Sequence, residues 1–212
     1  LNNLGGVFQM LGKIDLAINQ YKRAIKINTD FLDAHINLGI ILTELGKLKE
    51  AELYLRRAIV INPDSSKAYN SLGNVFRDLG NFEDSESNFK KAIHLKPNYS
   101  DAYINLGITL YAMGELNSSI KSIEKAYSIE PGPKSKLLLT IIGSRLSNKN
   151  LESGSENINQ LNANDRLESN PIILNRDVEI NLVDKLYHMK LIELDEVRDP
   201  GYGNAKGSDI RK

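Results

Sequence analysis

Asn37-Leu38-Gly39 is the stretch that decides the fold, because its Leu-Gly pair returns at a fixed spacing of 34 residues. The pair occurs as Leu4-Gly5, Leu38-Gly39, Leu72-Gly73 and Leu106-Gly107. Three more columns keep the same spacing, and their members are Gly12, Gly46, Gly80 and Gly114; Ala24, Ala58, Ala92 and Ala126; and Pro63, Pro97 and Pro131, with Thr29 in the first period. Four columns in phase over four periods predict an array of helical repeats.

One period shows how the pattern becomes structure. Apolar residues recur at helical spacing over residues 34–45, stop at Gly46 and resume over residues 48–59. This predicts two antiparallel helices joined by a short turn. Because proline disfavours helix in the residue before it, Pro63 ends the second helix, and we expect Asp64 to cap the next one.

The glycine of the Leu-Gly pair has a packing role. It falls on the face of the first helix that meets the second, where a missing side chain lets two helix axes approach. Large residues then fill the remaining space, and they form two columns: Phe8, Leu42, Phe76 and Leu110; and Tyr21, Leu55, Phe89 and Ile123. A bulky residue at any of these glycines should push the helix pair apart.

Composition excludes several classes of partner. The 27 basic and 27 acidic residues cancel, which removes the field that a nucleic-acid or anionic-membrane binder usually carries. The chain has no cysteine, so it has neither disulfides nor thiolate metal sites, which is compatible with the cytoplasmic location that we predict. No apolar run approaches the roughly 20 residues of a membrane span. We therefore expect no nucleic-acid and no membrane partner.

The third period resembles the tetratricopeptide repeat, whose signature over 34 positions is matched by Tyr69, Leu72, Gly73, Phe76, Phe89, Ala92 and Pro97. Ser85 replaces the alanine of that signature, and the resemblance covers residues 1 to about 131. It implies an all-α, right-handed superhelical solenoid of antiparallel helix pairs that serves as a protein-interaction scaffold. The first helices of the pairs would line the concave side.

One column on those first helices holds Asn3, Asn37, Ser71 and Asn105. An amide offers both a donor and an acceptor, so one amide per repeat can hold the backbone of an extended peptide. The column resembles the asparagine ladder in the repeat domain of O-linked N-acetylglucosamine transferases, and Ser71 interrupts it. The alternative is that these asparagines are solvated or bonded within their own array.

Adjacent positions would supply selectivity, with Asn2, Ile36, Asn70 and Ile104 alternating between polar and apolar. The predicted peptide-binding groove contains Asn3, Asn37, Asn70, Ser71, Asn74, Arg77, Asn105 and Tyr111. The lysine-rich clamp by which chaperone-binding relatives hold a C-terminal carboxylate is not matched. Only Lys67 of that clamp is present.

After Pro131 the register fades. Lys136 to Leu146 is predicted to be a capping helix that closes the array over residues 1–146, followed by a polar linker or weak helix over residues 147–174 and a helical tail over residues 175–212. The end of the tail, residues 202–209, faintly resembles the lead-in to 2-oxoglutarate and iron dioxygenase domains. The first residue is Leu1 rather than methionine, and we expect the chain to be a fragment at both ends.

No catalytic set is recognised. The three histidines, His35, His94 and His188, have no spacing that unites them with a carboxylate as a metal site, so we expect no metal, no cofactor and no catalytic residue. The sequence therefore predicts a non-enzymatic module that binds an extended protein segment in its concave groove. Two alternatives stay open: a substrate-recruiting arm of a larger enzyme, of glycosyltransferase or dioxygenase type, and a structural assembly scaffold.

Overall fold

A computed structural model describes residues 1–153 of the chain, with side chains described as far as residue 147. The described residues form α-helices joined by short turns, and none of them forms a strand. The helices are α1 (Asn2–Met10), α2 (Ile14–Ile27), α3 (Leu32–Glu44), α4 (Leu48–Ile61), α5 (Ser66–Asp78), α6 (Phe82–Leu95), α7 (Ser100–Ala112), α8 (Leu116–Ile129) and α9 (Pro133–Ser153).

The helices contact one another in sequence order. The pairs α1 and α2, α3 and α4, α5 and α6, and α7 and α8 form four repeats, and each second helix packs against the first helix of the following repeat. The first helices also contact each other, α3 with α5 and α5 with α7. The predicted all-α repeat solenoid is thus confirmed.

The crossing within each repeat depends on the glycine of the Leu-Gly pair. A Cβ atom added at Gly39 would lie 2.6 Å from Leu55 Cγ, and one added at Gly73 would lie 2.6 Å from Phe89 Cε1. Real Cβ contacts do not come this close, so each glycine is needed for the approach of the two helices. The predicted packing role is confirmed.

The second glycine column has a different cause. Gly46 has a φ of 71° and nothing within 4 Å of an added Cβ atom. It lies in the turn, where the Lys47 N–H donates to Leu42 O at 2.8 Å and closes the end of α3. The backbone conformation selects glycine here, because a left-handed φ strains residues that carry a Cβ atom.

The predicted cap of α5 is wrong by one residue. Ser65, and not Asp64, is the N-cap, and its side-chain oxygen accepts a hydrogen bond from Ala68 N at 3.3 Å. Asp64 instead lies in the preceding turn, where its own backbone N–H donates to Asn62 Oδ1 at 2.9 Å. The turn after Pro63 takes one more residue than the sequence suggested.

The last described helix, α9, includes the predicted capping segment and continues past Leu146 to Ser153. Its residues Leu138 and Ile142 are buried, and the helix contacts α8. None of the helices in residues 1–153 is long and apolar enough to cross a bilayer. The predicted tail over residues 175–212, with the segment that resembles a dioxygenase lead-in, lies outside the described residues.

Candidate functional site

The predicted groove residues lie on the first helices of the repeats, which neighbour one another. Between the first and second repeats, Asn37 Nδ2 donates to Asn2 Oδ1 at 3.3 Å. Lys67 Nζ of the third repeat donates to Asn37 Oδ1 at 3.2 Å. Asn37 is therefore bonded within the array on both sides, while Asn3, the predicted ladder residue of the first repeat, is exposed beside this chain of bonds.

The same bond recurs two repeats further along. Asn105 Nδ2 donates to Asn70 Oδ1 at 3.1 Å, and Asn70 is buried. Burial raises the pKa of Tyr99 above its ordinary value of 10.0, the charge of Asp101 raises it further, and a side-chain hydrogen bond with Asn70 lowers it. Tyr99 thus keeps its proton at neutral pH, and its neutral phenol lies beside Asn70 and the charged groups of Asp101 and Lys96.

These bonds explain the position of Ser71. In each of the two pairs, an asparagine bonds to the residue 35 positions earlier, in the preceding repeat. For Ser71 the residue in that register is Ile36, which is buried and whose side chain offers no hydrogen-bonding group. The asparagine pairs therefore join the first repeat to the second and the third to the fourth, and the column is interrupted between the second and the third.

Asn74 and Arg77 share a stripe of α5 with Asn70, since residues four and three apart lie on one helix face. Asn74 Oδ1 and Arg77 Nη1 are both buried without a hydrogen-bond partner in the described part of the chain. The guanidinium has one ionic neighbour at its other end, where Arg77 Nε lies 3.5 Å from Asp78 Oδ1. One donor and one acceptor are thus left without a partner on the same stripe.

Tyr111 has a partner that the sequence pattern did not predict. Arg145 Nη1 of α9 donates to the Tyr111 hydroxyl, and the guanidinium carbon lies 5.0 Å from the centre of the tyrosine ring. Arg145 stands 34 positions after Tyr111, which itself stands 34 after Arg77. The repeat spacing, continued past Pro131, is the signal that would have found this residue.

The histidines of the described region have structural surroundings. His35 Nε2 lies 2.9 Å from Thr29 O, and its ring packs against Tyr54 with 5.9 Å between ring centres. His94 is exposed on α6. In residues 1–153, no group of three or more histidines and carboxylates lies close enough to hold a metal ion.

The fold and this surface define a helical repeat protein whose first helices present a row of polar side chains. Family models described as "TPR repeat" match residues 5–46 and 73–114, and models described as "Tetratricopeptide repeat" match residues 32–65 and 100–133. The chain belongs to the tetratricopeptide repeat family. Proteins of this family bind protein or peptide partners, so the chain is of the protein-interaction class.

Several solved structures share this fold. MamA is 26% identical with a TM-score of 0.59, and the match covers 70% of this chain and 88% of MamA. TTC0263, a thermophilic TPR protein of Thermus thermophilus, is 22% identical with a TM-score of 0.62, and 68% of this chain and 80% of that one are covered. YrrB, described as a TPR protein with an unusual peptide-binding site, is 17% identical with a TM-score of 0.55 and coverage of 70% and 77%. No curated protein matched the chain in sequence.

Proposed function

We propose that the surface formed by the first helices binds an extended peptide segment of a protein partner. The residues proposed to contact it are Asn3, Asn37, Asn70, Ser71, Asn74, Arg77, Asn105 and Tyr111. Their side chains are polar and Ile40 and Ile104 lie beside them, so the preferred peptide carries some apolar side chains. The chain itself is proposed to be non-catalytic and cytoplasmic.

The observation that carries the proposal is the pair of unpartnered atoms on α5. Leaving a buried polar atom without a hydrogen bond costs about 1–3 kcal/mol, so Asn74 Oδ1 and Arg77 Nη1 are unfavourable as they stand. A peptide unit offers one N–H donor and one carbonyl acceptor, which is the complement of this pair. Because both atoms are buried, we expect the two side chains to turn toward the peptide when it binds.

The asparagine pairs support the same proposal, although Asn37 and Asn105 are not free amides as the sequence pattern suggested. Asn37 and Asn105 already bond to neighbouring repeats, yet a side-chain amide has two N–H donors and an oxygen with two lone pairs. Their bonds within the array fix the amide orientation in advance, which lowers the entropy lost when a peptide binds. We therefore expect Asn37 and Asn105 to contribute as oriented groups.

A random peptide library screened against the full 212-residue chain tests the proposal. Binders should lose roughly tenfold in affinity with Asn74→Ala, since about 1.4 kcal/mol corresponds to a factor of ten. Asn37→Ala combined with Asn105→Ala should weaken them as well. The control is Asn19→Ala, an exposed asparagine on the second helix α2. Failure to recover binders, or binders indifferent to these substitutions, would contradict the proposal.

The two alternatives stay predictions with separate tests. The hypothesis that the chain is the recruiting arm of an enzyme is tested by the coding sequence downstream of Lys212. A His-x-Asp motif with a distant histidine there would support a dioxygenase domain. The hypothesis of an assembly scaffold is tested by sedimentation of the chain without any peptide, since a scaffold should self-associate.

A further inference from the structure

One row of residues runs across the five helices that carry the proposed peptide surface, with one residue on each helix at the 34-residue spacing. Its members are Gln9, Thr43, Arg77, Tyr111 and Arg145. Two of them are arginines and none is an acid. Glu44 and Asp78, the acids that follow the row in the sequence, are both exposed. The row itself therefore contributes two positive charges to this surface.

Arg77 is a largely buried cation whose hydrogen bonds are incomplete. Its side chain is only 14% exposed, and Nη1 has no hydrogen-bond partner in the described part of the chain. Its Nε lies 3.5 Å from Asp78 Oδ1, which is longer than the roughly 2.7–3.2 Å of a good hydrogen bond. Burial of a charge is costly unless the charge is paired and hydrogen-bonded. Arg77 therefore favours an acceptor that carries negative charge over a neutral one.

Tyr111 adds a donor on α7, which contacts α5. Its hydroxyl oxygen accepts a hydrogen bond from Arg145 Nη1, and the guanidinium carbon of Arg145 lies 5.0 Å from the centre of the ring. A tyrosine hydroxyl also has one proton to donate, and a hydroxyl that accepts from a cation directs its own proton to a different acceptor. Arg77 and Tyr111 thus offer donors from two neighbouring helices.

We propose that Arg77 and Tyr111 bind the side-chain carboxylate of an aspartate or glutamate in the bound peptide. This inference rests on the peptide-binding function proposed above and adds a charge selectivity to it. A carboxylate has two oxygens that fit the planar fork of guanidinium N–H groups, and such charge-assisted bonds are stronger than neutral ones. Asn74, one helical turn before Arg77, accepts a backbone N–H next to the acid.

The place of Arg77 in the row favours an acid inside the peptide over the carboxylate at its C-terminus. Arg77 lies on α5, which is the third of the five helices that carry the row. The surface therefore continues past Arg77 on both sides. A peptide that ended at Arg77 would leave the helices on one side without a contact.

The binders recovered from the random library provide the first test. They should share an aspartate or glutamate at one position, and replacement of that acid by its amide should weaken binding to the wild-type chain roughly fivefold or more. Binders that tolerate the amide without loss overturn the charge selectivity and leave peptide binding itself intact. A screen that returns no binder contradicts both proposals.

Variants of the protein assign the selectivity to Arg77. Arg77→Gln should bind the acidic peptide and its amide form with nearly equal affinity, whereas Arg77→Lys keeps the charge and should retain part of the preference. Tyr111→Phe should reduce the preference by a smaller factor. An Arg77→Gln chain that weakens both peptides equally would show that Arg77 does not contact the carboxylate.

The matched control is Arg57→Gln, which removes an exposed arginine on the second helix α4. It lowers the net charge of the chain by the same amount and should keep the full preference for the acid. An equal loss of preference in Arg57→Gln would indicate a general electrostatic effect and overturn the assignment to Arg77. Circular dichroism of each variant checks that the helices are retained.

Amidation of the peptide C-terminus separates the two sources of a carboxylate. It should leave the affinity of the acidic binder unchanged, because the terminal carboxylate is not the group bound at Arg77. A loss on amidation that disappears in Arg77→Gln would show that Arg77 binds the C-terminus instead, which contradicts the proposal.

Discussion

The second and third repeats, residues 32–65 and 66–99, have the same pair of helices but differ in many of the side chains on their surfaces. Their Leu-Gly pairs and buried alanines serve the same contacts. On the stripe toward the neighbouring first helices, the second repeat has Ile36 where the third has Asn70. On the second helices, the second repeat has Tyr54, which packs against the core, where the third has Asn88.

This difference separates the residues that maintain the fold from the residues that give each repeat its own surface. In the packing columns the glycine is kept while the residue that faces it varies, as with Leu55 against Gly39 in the second repeat and Phe89 against Gly73 in the third. Residues on the surface of a repeat can vary more freely, because no helix packs against them. The unpartnered polar atoms of Asn74 and Arg77 lie in the third repeat, at positions where the second repeat has Ile40 and Thr43.

The largest loss of stability is expected at the glycines of the Leu-Gly pairs, which both repeats share. Gly73→Val would place a Cβ atom 2.6 Å from Phe89 Cε1, and overpacking of this kind costs up to about 3 kcal/mol. Gly39→Val should cost a comparable amount against Leu55. Urea unfolding followed by circular dichroism measures both losses.

The control for these two substitutions is Gly143→Val in α9, because nothing lies within 4 Å of a Cβ atom at Gly143. Valine and glycine differ little in helix propensity, so the free energy of unfolding should change by less than about 0.5 kcal/mol. A loss at Gly143 as large as that at Gly73 would show that the helical backbone, and not the helix crossing, requires the glycine.

A smaller loss of stability is expected at the contact between the third and fourth repeats, where two buried hydroxyls meet. Ser85 Oγ and Thr109 Oγ1 lie 3.2 Å apart, whereas one repeat earlier the same columns hold Ala51 and Val75. Thr109→Val leaves the Ser85 hydroxyl without this partner and should cost about 1–2 kcal/mol. The double variant Ser85→Ala with Thr109→Val restores the apolar pair and should recover most of the loss.

A double-mutant cycle on chemical denaturation measures this coupling. If the double variant is as unstable as the sum of the single variants, the hydroxyl pair does not act as a unit.

The cap of α5 is expected to contribute about 1 kcal/mol. Ser65→Ala removes the acceptor for Ala68 N. The corresponding substitution in the second repeat, Phe31→Ala, removes no cap hydrogen bond, because Phe31 precedes α3 without one. Thermal unfolding should show a lower midpoint for Ser65→Ala, and Asp64→Ala should leave the midpoint nearly unchanged if Ser65 alone is the cap.

The smallest effect is expected at the exposed ion pair between repeats. Arg57 Nη2 lies 2.7 Å from Asp30 Oδ1, and both side chains are about half exposed, 48% and 64%. Such pairs contribute about 0–1 kcal/mol, so Arg57→Ala should shift the midpoint of unfolding only slightly. The shift should vanish in high salt, and a salt-independent loss would point to packing by the arginine stem.

Much of the fold was predictable from residues that repeat. The four Leu-Gly pairs, the glycine turns and the two packing columns appear in the structure as the spacing indicated. Ser65 was missed because two polar residues in succession can both cap a helix, and the turn geometry selects between them. Arg145 was missed because the columns that mark the repeat end at Pro131, although the helical register continues into α9.

The candidate sites were predictable only in part. Asn37 and Asn105 were identified by their column, but their partners Asn2 and Asn70 depend on how adjacent repeats are offset.

The sequence by itself determined the repeat, its helix pairs and the position of each helix crossing, because a 34-residue period leaves every repeat with the same apolar stripes to bury. Only the tertiary structure decided which polar groups find partners. Hydrogen bonds between repeats depend on distances that no single repeat contains.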